Sequence, residues 1–116
     1  MTVDMNIIYS ILVSWNKPKT YSDLTQDYKC RTGEWYSPQS WNEVLSQLNK
    51  ILAEADAPPL SALVVSQSTN EPGALFWASA SNVPPKHNNP LKRTLMWQGI
   101  LNQVVTYQWP NKLPIN

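Results

Sequence analysis

The stretch Pro58-Pro59-Leu60-Ser61-Ala62-Leu63-Val64-Val65 constrains what this chain can fold into more than any other. A double proline cannot continue the helix that the residues before it favour, and the apolar run behind it is short enough to be a buried strand. The chain therefore has to pass from helix to sheet here. Ser66 to Gly73 (SQSTNEPG) carries turn formers throughout, and Ala74-Leu75-Phe76-Trp77 follows. Two strands joined by a loop, a β-hairpin, is the expectation.

Upstream of the prolines the chain reads as helix. Residues 4 to 15 place Ile7, Ile8, Ile11, Leu12 and Trp15 on one face, with Thr2 or Asp4 as N-cap, and Asn16-Lys17-Pro18-Lys19 ends that segment. Thr20-Tyr21-Ser22-Asp23 has the form of a capping box and predicts a second helix to about Cys30, with Tyr21, Leu24 and Tyr28 facing the core and Gly33 at its exit. Ser37-Pro38 gives a cap-then-proline start to a third helix, running to about Ala55. Its apolar face is Trp41, Val44, Leu45, Leu48, Ile51 and Leu52; its polar face is Gln39, Asn42, Glu43, Ser46, Gln47, Asn49 and Lys50. After the hairpin, Ser79 to Asn89 has the composition of a loop. Asn89-Pro90 then opens a last helix containing Leu91, Leu95, Trp97, Ile100, Leu101, Val104 and Val105, and Trp109 to Asn116 is too proline-rich to be helical.

The expected fold is α+β and winged-helix-like: three helices, a β-hairpin, and an extra C-terminal helix. One domain spans 1–116, with 1–78 as the core and 79–116 as linker, helix and tail; 116 residues suffice for one hydrophobic core. In a winged helix the third helix can enter a DNA major groove while the hairpin contacts the backbone.

Charge is unevenly placed along the chain. Residues 1–71 hold five lysines and arginines against eight acids, a net of −3, while residues 72–116 hold Lys86, Lys92, Arg93, Lys112 and no acid, a net of +4. Such asymmetry marks a partner-binding face, nucleic acid being the usual partner, or simply short loops without acids. No run reaches the roughly 20 apolar residues needed to cross a bilayer, and Asp4 stands where a signal peptide carries basic residues, so no membrane and a cytoplasmic location are expected. Cys30 is the sole cysteine, which rules out an intrachain disulfide and a zinc site built from cysteines.

Thr20-Tyr21-Ser22-Asp23-Leu24, the Pro58 to Val65 run and Pro72-Gly73 together resemble a small domain of uncharacterised bacterial and phage proteins. That domain has a Thr-Tyr-x-x-Leu-Ala helix start, a Pro-Pro-Leu-x-x-Leu-Val-Val strand and a Pro-Gly turn before an aromatic strand; the likeness covers residues 1 to about 78. The same pattern is similar, more distantly, to the winged-helix domain of DNA alkyltransferases and alkyltransferase-like proteins. Their reactive Pro-Cys-His-Arg segment has no counterpart, because Pro58-Pro59-Leu60-Ser61 stands at the comparable place and Cys30 lies elsewhere. The resemblance thus implies a winged-helix scaffold of phage or prophage type and nucleic-acid binding, without alkyl transfer.

Chemistry-bearing constellations are sparse. The lone His87 lies in a loop rich in proline and asparagine, Asp23 already caps a helix, and three dispersed glycines cannot build a phosphate loop. The chain is expected not to be an enzyme, with no catalytic residues, no metal and no cofactor. Two binding readings follow. In one, the partner is nucleic acid or a nucleic-acid-handling protein complex: Gln39, Asn42 and Ser46 read base edges, while Lys29, Arg31 and Lys50 lie near phosphates. In the other, the chain is a protein-directed inhibitor, such as an anti-defence protein, or an oligomerising adaptor that forms a homodimer. There Trp35, Tyr36 and Trp109 are the anchors and Lys86, Lys92 and Arg93, with His87, the basic rim, while Trp77 and Trp97 close the core.

Overall fold

The computed structural model describes residues 3–114, so Thr2 and the last two residues of the tail lie outside the described residues. The architecture is α+β, with four α-helices and one two-stranded parallel sheet among the described residues. α1 spans Met5–Ser14, and Asp4 caps it by accepting from the Asn6 amide at 3.0 Å. It buries Ile8, Ile11 and Leu12 as its spacing requires, together with Tyr9. A two-residue strand, β1 (Lys19–Thr20), leads directly into α2 (Tyr21–Thr32).

The capping box at α2 is present in both directions. The Thr20 hydroxyl accepts from the Asp23 amide at 3.2 Å, and the Asp23 carboxylate accepts from the Thr20 amide at 3.0 Å. Gly33 ends the helix at φ 75°, a left-handed conformation that costs a residue with a Cβ about 1 kcal/mol. The Ser37-Pro38 signal plays out differently: Pro38–Ser40 forms a 3-10 turn without a side-chain cap, and α3 proper begins at Trp41 and ends at Glu54. The Ser37 hydroxyl is instead bonded to the Gln39 side chain. Trp41 is fully buried, edge-on to Tyr28 at 5.5 Å. Its indole N–H donates to the Thr25 hydroxyl at 2.9 Å, which in turn donates to the Tyr36 carbonyl at 2.7 Å. This chain satisfies every buried polar atom that the tryptophan brings into the core.

The expected hairpin is absent. Leu60–Leu63 forms a 3-10 turn rather than a strand, and only Val64–Val65 is extended (β2). That strand pairs in parallel with β1, Lys19 opposite Val64 and Thr20 opposite Val65. The second expected strand is another 3-10 turn, Ala74–Phe76. The physical reason lies in where the donors go. The Ser66 amide donates to the Glu71 carbonyl at 2.8 Å, but Pro72 has no N–H, and the Gly73 amide donates to the Tyr21 hydroxyl at 3.1 Å, so an antiparallel ladder has nothing to continue with. Leu60 to Leu63 are buried on all sides, and a run without an exposed face carries no periodicity to separate strand from turn.

α4 (Pro90–Thr106) begins as expected, the Asn89 side chain accepting from the Leu91 and Lys92 amides at 2.9 and 3.2 Å. It is no appendage. Trp97 is buried and donates its indole N–H to the Ala62 carbonyl at 2.9 Å, and Val83, Ile100, Val104 and Leu113 all join the core. Each large aliphatic side chain buried in this way contributes on the order of 1.5–3 kcal/mol. No described helix is long and apolar enough to cross a membrane.

Candidate partner-binding surface

Of the residues expected to meet nucleic acid, the structure brings together only some. Gln39, in the 3-10 turn, and Asn42, in the first turn of α3, line a shallow hollow of about 200 Å³ with Tyr21 and Pro38. Ser46, one turn on, is half-buried and, with Asn42, Asn49, Ser61, Leu75 and Phe76, lines a narrow space of about 10 Å³. The 74–76 turn thus packs beside Asn42 and Ser46 and leaves both half-buried, while Gln39 stays exposed. Lys29 and Arg31 are exposed on α2, with Arg31 Nη1 donating to the Ser10 hydroxyl at 2.7 Å. Lys50 is exposed near the other end of α3, and the solvent face it shares consists of Glu43, Gln47 and Glu54. That face thus carries two acids and one cation, whereas affinity for phosphates comes from cations.

Asn49, expected on the solvated face of α3, is only 1% exposed. Its Nδ2 donates to the hydroxyls of Ser61 at 2.7 Å and Ser79 at 2.9 Å, tying α3 to the turn and loop that follow it. Asn82 extends the tie, its Nδ2 donating to the carbonyls of Asn49 at 3.2 Å and Ala57 at 3.0 Å. Asn49 lies four residues after Leu45 and three before Leu52, both buried. That spacing was the signal that could have placed it inside.

The expected protein-interface residues also divide. Trp35 is 58% exposed in the loop after α2 and meets the expectation of a free aromatic. Tyr36 and Trp109 do not, since both are half-buried. Tyr36 packs on Trp41 at 4.4 Å, and Trp109 meets Tyr9 edge-on at 6.0 Å while donating its indole N–H to the Val104 carbonyl at 2.9 Å. Trp77 and Trp97 are buried, closing the core as expected.

Lys86 and Arg93 come together across the Ser66–Gly73 loop. They line a hollow of about 300 Å³ whose wall includes Ser66, Thr69, Glu71 and Trp77. The loop is anchored to α4 by the Thr94 hydroxyl, which donates to the Glu71 carboxylate. Arg93 is itself held by its Nη1, donating to the His87 carbonyl at 3.0 Å, and the Asn89 amide donates to His87 Nδ1 at 2.9 Å. Lys92 is exposed beside this cluster.

The outer face of α4 holds what the sequence reading did not separate from its core face. Leu91 is 69% exposed, Leu95 58% and Val105 45%. They recur at helical spacing on the side opposite Trp97, Ile100 and Val104, with Gln98 and Asn102 between them. Lys92 is exposed at the edge of this face and adds a positive charge to its apolar area, whereas Arg93, four residues before Trp97, lies on the inner side of the helix. Comparison with family models, curated proteins and solved structures finds no significant match to this chain.

Proposed function

We propose that this chain is a non-enzymatic binding module directed at a protein, and that its docking surface is the outer face of α4. The observation that carries the reading is the exposure of Leu91 and Leu95 next to Lys92. Large aliphatic side chains gain nothing against a phosphate backbone, yet they form the desolvated centre of protein interfaces with cations at the rim. The segment from residue 72 onward holds four cations and no acid, so the complementary partner surface is acidic as well as apolar. In this reading the chain acts as an inhibitor or adaptor of the phage-borne or mobile-element kind that its motifs resemble.

The hollow between Lys86 and Arg93 favours a second reading, contact with nucleic acid or with a nucleic-acid-handling complex. Support for this reading is the order of three helices and then the short strand Val64–Val65, with the Ser66–Gly73 loop taken as the counterpart of a wing although no hairpin forms. A wing touches the phosphate backbone, and this loop has Lys86 and Arg93 beside it.

One pair of experiments separates the readings. Affinity capture of host proteins is followed by titration of each purified candidate against wild-type chain and the Leu91→Glu/Leu95→Glu variant. The first reading expects an acidic partner whose affinity falls at least tenfold in the variant. A gel-shift titration with duplex DNA at two salt concentrations tests the second. A shift at low salt that Lys86→Ala/Arg93→Ala abolishes, and that the leucine variant leaves intact, would overturn the protein-directed reading.

A further inference from the structure

The C-terminal ends of α3 and α4 converge on one cleft. It has a volume of about 730 Å³, within the range of small-molecule sites, and its wall includes Asp56, Asn82, Gln103, Tyr107 and Gln108. Helix C-termini carry partial negative charge, normally offset by a lysine or arginine in the last turn. Neither α3 nor α4 has a basic residue there. The wall adds a full negative charge from Asp56 and contains no lysine, arginine or histidine.

The remaining groups suit the same kind of guest. Gln103 and Gln108 bring amide oxygens, and Tyr107 brings an aromatic ring whose face attracts cations. Asn82 is fixed in orientation because both of its Nδ2 bonds go to backbone carbonyls. Asp56 itself has φ 57°, the left-handed region that residues with a Cβ seldom occupy, and it is held there by the turn that closes α3: the Asp56 amide donates to the Ala53 carbonyl and the Ala57 amide to that of Leu52. A single carboxylate among neutral amides is a poor nest for a divalent cation, which takes six or more oxygen ligands. Room for a carbon skeleton, acceptors around it and one exposed carboxylate on a fixed backbone suit an organic ammonium ion.

We infer that the cleft between the C-termini of α3 and α4 binds an aliphatic ammonium ligand of the diamine or polyamine class, with Asp56 as the counter-ion and Tyr107 as the aromatic wall. The site is separate from the outer face of α4 and holds or fails independently of it.

The test is titration of the full chain with putrescine, followed by backbone amide chemical shifts, with the uncharged 1,4-butanediol as control. Asp56→Asn removes the charge while keeping a residue type that tolerates the left-handed conformation, so the fold is retained. The expected result is saturable shifts confined to residues 53–58, 81–82 and 103–108, no shifts with the diol, and about a tenfold weaker affinity in Asp56→Asn. Tyr107→Leu weakens binding by a further few-fold through loss of the ring. Equal response to the diol, unchanged affinity in Asp56→Asn, shifts centred on another acidic region such as Glu34 or Glu43, or no response at about 10 mM putrescine each overturns the inference.

Discussion

The Tyr9 hydroxyl donates to the Pro110 carbonyl at 2.6 Å, joining the first helix to the tail across 101 positions of sequence. Trp109 packs on the same ring, and Tyr107 packs on Trp109 at 4.5 Å. The proline-rich end is therefore folded against α1 rather than trailing from it. Burial pushes the Tyr9 hydroxyl above its ordinary pKa, and the nearby Tyr107 hydroxyl adds to the effect. Above about pH 10 the unfolded chain gives up this proton before the native one does, so native stability falls as pH rises through that value and is complete below it. Tyr9→Phe is expected to cost about 1 kcal/mol at neutral pH and to flatten the alkaline limb of a stability-against-pH curve measured by urea unfolding.

Gly73 is required for closeness rather than for its φ. A Cβ there would lie 2.9 Å from the Tyr21 hydroxyl, which accepts the Gly73 amide. Gly73→Ala is expected to cost about 1–3 kcal/mol by thermal or denaturant unfolding, as overpacking does. Because the clash is with the hydroxyl, adding Tyr21→Phe should recover part of the loss, and a double-mutant cycle showing simple additivity would contradict the account.

Asn49 joins α3 to both the 60–63 turn and the loop at Ser79. Asn49→Ala leaves the Ser61 hydroxyl buried and short of this partner, for an expected loss of about 2–3 kcal/mol. Hydrogen exchange should show the 78–83 loop opening more readily in the variant, since the Ser79 hydroxyl loses its bond from Asn49 Nδ2, while the bond from Asn82 to the Asn49 backbone carbonyl stays.

Leu91→Glu/Leu95→Glu changes only exposed positions of α4. Its unfolding midpoint is expected to match the wild type to within about 0.5 kcal/mol, as surface substitutions do. A large destabilisation would mean that these leucines serve the fold and not a partner.

The parts of this fold that could be read from sequence are those decided within one helical turn. Thr20 and Asp23 meet each other whatever surrounds them, Asn89-Pro90 presets a helix start, and Gly33 marks an end. What could not be read is decided between distant residues. Val64–Val65 takes its ladder partner from Lys19–Thr20, and Gly73 gives its amide to Tyr21, so the hairpin was lost to contacts made by residues more than forty positions away. The candidate surface divides in the same way. Lys86 and Arg93, neighbours in sequence, line one hollow, but the burial of Tyr36 and Trp109 depended on Trp41 and Tyr9. The apolar count of α4 was visible, though not which leucines face outward, because one helix with apolar residues on several sides has no unique inner face.

The two rungs between Lys19–Thr20 and Val64–Val65 also bear on how the chain reaches this state. Parallel pairing cannot start from a tight turn: the ends meet only after α2 and α3 have been threaded between them, at the entropic cost of closing a long loop. Helices α1 to α3 can form from local contacts within microseconds, but the sheet has to wait for that closure. The barrier to folding should therefore lie in docking residues 60–65 onto assembled helices, so a substitution at Val64 slows refolding more than one at the solvent face of any helix.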